Sequence, residues 1–248
     1  MRAITWLKER GAEFAEISLG ETYLRAAGVA VSASPLPYRL DYELDCVERF
    51  VTQRLLVRTQ GAGWSRRLVL SRDPQGSWGI EASAEGEVDL PGPGGDPVAF
   101  ATALDCDLGE CPVTNTMPVL RHGLLRGGPP RDFVMAWVGV PDLSVQASAQ
   151  RYTYVGPPEA VPGPAGAAVD PAGAAADPAG AAAGPAGTAA GPAGTTAGPA
   201  GTTAGPTGTA AGPTGTTVIR FESGTFSANI VFDSDGLVVD YPGLCTTA

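Results

Sequence analysis

YRLDYELDC, Tyr38 to Cys46, decides the fold class. Tyr38, Leu40, Tyr42, Leu44 and Cys46 share one side of an extended chain, and Arg39, Asp41, Glu43 and Asp45 share the other. Successive side chains in a strand point to opposite faces, so the pattern predicts a strand with one buried and one wet face. The same reading extends outward. Upstream, Ile4–Lys8, Ala12–Leu19 and Thr22–Val31 read as strands, with Gly28 marking a bulge or a close approach of the backbone. Downstream, Phe50–Gln60 and Trp64–Ser71 flank GAG and read as a hairpin. Asp73–Gly76 (DPQG) is a turn that uses the fixed φ of Pro74. Ser77–Ser83 and Glu87–Leu90 continue the meander.

The alternation breaks at LDCDLGECPVTNTMPVLRHG, Leu104 to Gly123, which holds two of the four cysteines and the lone histidine, His122. Asp105, Asp107, Thr114, Asn115 and Thr116 offer the backbone local hydrogen bonds that compete with a strand ladder. Two readings stand: a crossover pinned by prolines, or a stretch that presents polar groups to a ligand. A short helix is expected from Pro112, where a missing N–H costs nothing, with Pro118 ending or kinking it. Beyond it, FVMAWVGV, Phe133–Val140, is nearly all apolar and predicts a strand buried on both faces. Ser144–Val155 and Thr217–Glu222 read as hairpin partners, followed by Thr225–Phe232, a turn at Asp233–Gly236 and a closing strand, Leu237–Tyr241. Around a dozen short strands and at most one substantial helix predict an all-β roll or barrel.

Between the hairpin partners run eight seven-residue units, Gly163 to Val218, of the GPAGAAV type. Glycine spacings of three and four exclude a collagen helix, and the apolar bulk is too small for a core. The expectation is a disordered Gly/Pro/Ala/Thr loop, residues 157–217, interrupting one domain that spans 1–248.

The net charge of −10 argues against nucleic acid as a partner. No run approaches a membrane span or a signal peptide, which predicts a cytoplasmic protein whose four cysteines stay reduced. The cysteines form no CxxC pair, so no zinc site is expected. Pro242 occupies the position, six residues after Gly236, where a calcium loop would need glutamate. No cofactor or metal is expected.

DCDLGECPVTNTMPVLR (Asp105–Arg121), AWVGVPDLSVQASAQRYT (Ala136–Thr153) and DGLVVDYPGL (Asp235–Leu244), with Trp6 and PYRLDYELD (Pro37–Asp45), resemble a family of bacterial glycolipid-binding proteins. The resemblance implies a spiral β-roll, a half-open barrel of antiparallel strands wound around a single short helix, and a homodimer. It also implies a lipid or glycolipid-like ligand in an apolar cavity, with headgroup candidates Asn115, Arg121, Gln150, Tyr152, Asp240 and Tyr241 at its mouth. Where the family has threonine-proline-phenylalanine, this chain has Cys111, Pro112 and Val113; where it has two arginines, this chain has Arg121 and His122. The expected function is non-enzymatic binding. The alternatives are a hydrolase using Cys111 and His122, and a dimeric scaffold without ligand.

Overall fold

A computed structural model describes residues 1–158 and 215–248. Seven strands form an up-and-down meander: β1 (Arg2–Lys8), β2 (Gly11–Leu19), β3 (Leu24–Ser32), β4 (Tyr38–Val47), β5 (Val51–Gly61), β6 (Trp64–Arg72) and β7 (Trp78–Gly86). Each is antiparallel to the next. In β4, Leu40, Tyr42, Leu44 and Cys46 are buried, as the alternation predicts. Gly28 marks a close approach rather than a bulge: the ladder with β4 is regular, and a Cβ at Gly28 would meet the Tyr42 ring at 2.5 Å.

The remaining strands are β8 (Asp105–Leu108), β9 (Arg131–Val138), β10 (Val145–Gly156), β11 (Thr217–Ser223), β12 (Phe226–Phe232), β13 (Val238–Tyr241) and β14 (Cys245–Thr247). All fourteen belong to one sheet in the order β7-β6-β5-β4-β3-β2-β1-β14-β13-β12-β11-β10-β9-β8. The last strand therefore pairs with the first, and β7 and β8 are the free edges. β14 was not expected from the sequence. It is three residues long, too short to show a period.

The sheet rolls up because its β8 edge tucks beneath β5 to β7. Thr52 of β5 donates its N–H to the Leu104 carbonyl at 3.1 Å and accepts the Cys106 N–H at 3.1 Å. Thr59 donates to the Pro141 carbonyl at 2.7 Å, and the Trp78 indole donates to the Ala103 carbonyl at 3.0 Å. These bonds join strands far apart in the sheet order, which makes the architecture an all-β spiral roll.

The expected helix is present. A 3-10 turn, Pro112–Asn115, runs into α1 (Thr116–Arg121). Pro118 does not end it. It is the third residue of α1, in the turn whose N–H groups lack helical partners anyway. Gly123, at φ 61°, ends the helix instead. Val113, Met117 and Val119 are fully buried against the sheet, each contributing about 1.5–3 kcal/mol. This segment returns the chain to pair β9 parallel to β8, the one parallel strand pair among the described residues, so the sheet is mixed rather than wholly antiparallel.

Three further expectations are corrected. Glu87–Leu90 is not a strand, since β7 ends at Gly86. β9 is not buried on both faces: its first half, which extends beyond the ladder with β8, leaves Val134 38% exposed. Thr217, placed inside the insertion, opens β11. The expected disorder of the repeat otherwise concerns residues 159–214, which lie outside the described residues. Among the described residues no helix is long and apolar enough to cross a membrane.

Candidate functional site

The turn after β8 changes the character of the inner face. Gly109 donates to the Val138 carbonyl at 2.8 Å, Glu110 takes a left-handed φ of 59°, and Cys111 donates back to Leu108 at 3.0 Å. This hairpin-like step aims the chain into the helical segment. Around it the apolar inner face gives way to polar side chains.

Between this turn and β10–β13 lies a pocket of about 400 Å³. Asp107 is half-buried on its lining, with Asn115 and Gln150 beside it and Trp137, Phe226 and Tyr241 as aromatic walls. Gln150 donates to Asp107 Oδ2 at 2.6 Å, and Thr114 donates to Oδ1 at 2.9 Å. Burial raises the Asp107 carboxyl above the usual aspartate range, against the pull of these two bonds. Tyr152, fully buried behind the lining, donates to Asn115 Oδ1 at 3.0 Å and lies 3.3 Å from Gln150 Oε1. Ser148 and Ser223 face each other at 3.2 Å.

The register of β9 to β13 builds the aromatic side. Phe133 contacts Tyr152 (5.6 Å between ring centres), Tyr152 contacts Phe221 (5.3 Å), and Phe221 contacts both Phe226 (6.0 Å) and Tyr241 (6.1 Å). Three of these pairs are edge-on, a favourable geometry at these spacings, and Phe221–Phe226 is tilted. The ladder ends in water, where Phe226 is 49% exposed. A hollow of about 530 Å³ on the outer face of β2 to β5 is a different surface, running over the Arg39–Asp41 ion pair. It receives none of these groups.

On the far side of Cys111 a second network went unread in the sequence. Glu13, buried on β2, binds Lys8 at 2.6 Å, accepts the Tyr42 hydroxyl at 2.9 Å and accepts the Cys111 thiol at 3.1 Å. Lys8 also donates to the Glu110 carbonyl at 2.6 Å, fixing the left-handed turn. Burial works against the Lys8 ammonium, but Glu13 and its neighbours outweigh it and raise its pKa. The signal was available: Lys8 and Glu13 occupy inner positions of adjacent strands, in rows otherwise apolar.

Of the six candidate residues, Asn115, Gln150 and Tyr241 line the pocket, and Tyr152 supports the first two from behind. Arg121 is elsewhere. At the C-terminal end of α1 it forms a buried ion pair with Asp105 and donates to the Phe50 carbonyl at 3.3 Å. Asp240 alternates with Tyr241 on β13 and so faces the other side of the sheet. Asp107, Trp137 and Phe226 were not among the candidates. Cys111 and His122 sit at opposite ends of the helical segment, about 17 Å apart by helix rise. Burial first, then Glu13, pushes the Cys111 thiol well up, whereas His122 packs against Phe133 at 5.2 Å.

The sequence model of a family described as "Putative glycolipid-binding" matches residues 3–165. The chain belongs to that glycolipid-binding family. The match takes in Asp107, Asn115, Gln150 and Tyr152, while Phe226 and Tyr241 lie beyond it. The crystal structure of a DUF1089 family protein from Pseudomonas aeruginosa, at 1.80 Å resolution, shares the fold. It is 21% identical, covers 94% of this chain and 91% of its own, and superposes with a TM-score of 0.53. No curated protein matches this member of the glycolipid-binding family.

Proposed function

We propose that this protein binds a glycolipid-like amphiphile, without chemistry, by holding its sugar headgroup in the pocket between β8 and β10–β13. The carrying observation is the pairing of the Asp107–Gln150 hydrogen-bonded floor with the half-exposed ring of Phe226. A sugar offers hydroxyls for such a floor and an apolar C–H face for such a ring. The family description supports a ligand of this kind.

The acyl part lies along the wall of Phe221, Phe226 and Leu244. The space deeper in the roll holds Val113, Met117 and Val119 of the helical segment. Each chain CH₂ removed from water along the wall contributes about 0.8 kcal/mol. A non-catalytic role fits the buried, Glu13-bonded thiol of Cys111 and its distance from His122.

Native mass spectrometry of gently purified protein tests the proposal. A retained mass of several hundred daltons, lost in Phe226→Ala, is expected. A clean apo mass that takes up no alkyl glycoside would defeat it.

A further inference from the structure

We infer that the pocket selects uncharged or amine-bearing headgroups and rejects anionic ones such as uronate, sulfate or phosphate. The inference rests on the headgroup reading above. Among the described residues, the charged ones lining the pocket are Asp107 and Glu110, and no lysine, arginine or histidine joins them.

Two buried cations flanking the helical segment are committed elsewhere. Lys8 is held by Glu13 and the Glu110 carbonyl on the far side of the turn. Arg121 is held by Asp105 at the other end of α1. The polar groups of the floor are also spent in one direction. Gln150 Nε2 points at Asp107 (2.6 Å) and Ser148 (3.4 Å), and Asn115 Nδ2 points at the Pro112 carbonyl (3.4 Å). An anion therefore finds few donors here. A carboxylate has about four acceptor positions, and Thr114 and Gln150 fill two on Asp107. The remainder can accept a ligand hydroxyl or ammonium. In a partly desolvated pocket, repulsion between Asp107 and a second negative charge is stronger than in water.

Three amphiphiles with one octyl chain separate the possibilities: octyl glucoside, its 2-amino-2-deoxy analogue and octyl glucuronide. Each is titrated calorimetrically at pH 7, below its micelle concentration, into the full chain. The neutral and amine compounds should bind, with the glucuronide at least tenfold weaker. Asp107→Asn should tighten the glucuronide several-fold and weaken the amine. Glu110→Gln, on an exposed residue that the fold does not need buried, should move both the same way by less. A glucuronide within twofold of the glucoside, unmoved by either variant, would overturn the charge selection and leave the headgroup pocket standing. Failure of all three to bind would overturn the headgroup reading itself.

Discussion

Gln150 reaches Asp107 across 2.6 Å, tying β10 to β8 over the intervening strand β9. The bond joins residues 43 positions apart and sets one wall of the pocket against its floor. Gln150→Ala removes a donor from a half-buried carboxylate and leaves the Tyr152 hydroxyl with Asn115 alone. It is expected to cost about 1.5–3 kcal/mol, as for a hydrogen bond to a charged group. Urea denaturation measures this; a change below about 0.5 kcal/mol would show the contact to be incidental.

Asp107 gives the site a pH signature. Its folded pKa is raised by burial, so the folded state binds the proton more tightly than the unfolded chain. That contribution to stability is fully present below the unfolded value and is lost as pH rises through the folded one. In denaturation series from pH 4 to 7, the stability of wild type relative to Asp107→Asn should therefore fall with rising pH. A difference independent of pH would place the raised carboxyl elsewhere, at Asp105 or Asp240.

Arg121 separates folding from binding. Arg121→Ala strands Asp105 as a buried unpaired charge and should cost about 3–5 kcal/mol. Replacing the pair together, as Asp105→Leu with Arg121→Met, should recover most of that loss. Amphiphile affinity of the refolded double variant should stay within twofold of wild type, since Arg121 is outside the pocket. A tenfold loss in calorimetry would return Arg121 to the site.

All four cysteines are buried and free. Burial pushes the Cys106 and Cys245 thiols up to about 12, and those of Cys46 and Cys111 also lie well above the ordinary range. Thiolate is the reactive form. At pH 7.5 a maleimide should label the native protein over hours and the unfolded protein at four sites within minutes. Rapid labelling of one native thiol would reopen a catalytic role for it.

The residues that announced themselves in the sequence did so through periodicity. β4 was legible because its outer face is wet and its inner face dry, and Pro112 marked the helical segment because proline fits a first turn. Arg121 and Gln150 were chosen from two neighbouring family-matched motifs, yet only Gln150 reaches the pocket. A motif does not say that one residue follows the helix to its far end while the other returns on β10. Asp107 was read only as one of five residues that offer the backbone local hydrogen bonds, because its partner is 43 residues away and shares no period with it. Phe226 looked like one more alternating apolar residue, and its exposure depends on where the sheet turns outward. β8 escaped because four residues, two of them aspartates, carry too little pattern.

A sugar headgroup in the Asp107–Gln150–Phe226 pocket must perturb the side chains that line it. The most direct measurement is a heteronuclear magnetic resonance titration of the full chain with octyl glucoside below its micelle concentration. Saturable shifts are expected in the side-chain amides of Gln150 and Asn115 and in the indole N–H of Trp137, with the indoles of Trp6 and Trp78 unmoved. Shifts confined to the outer face around Phe14 and Arg39, or no saturable shift at all, would contradict it.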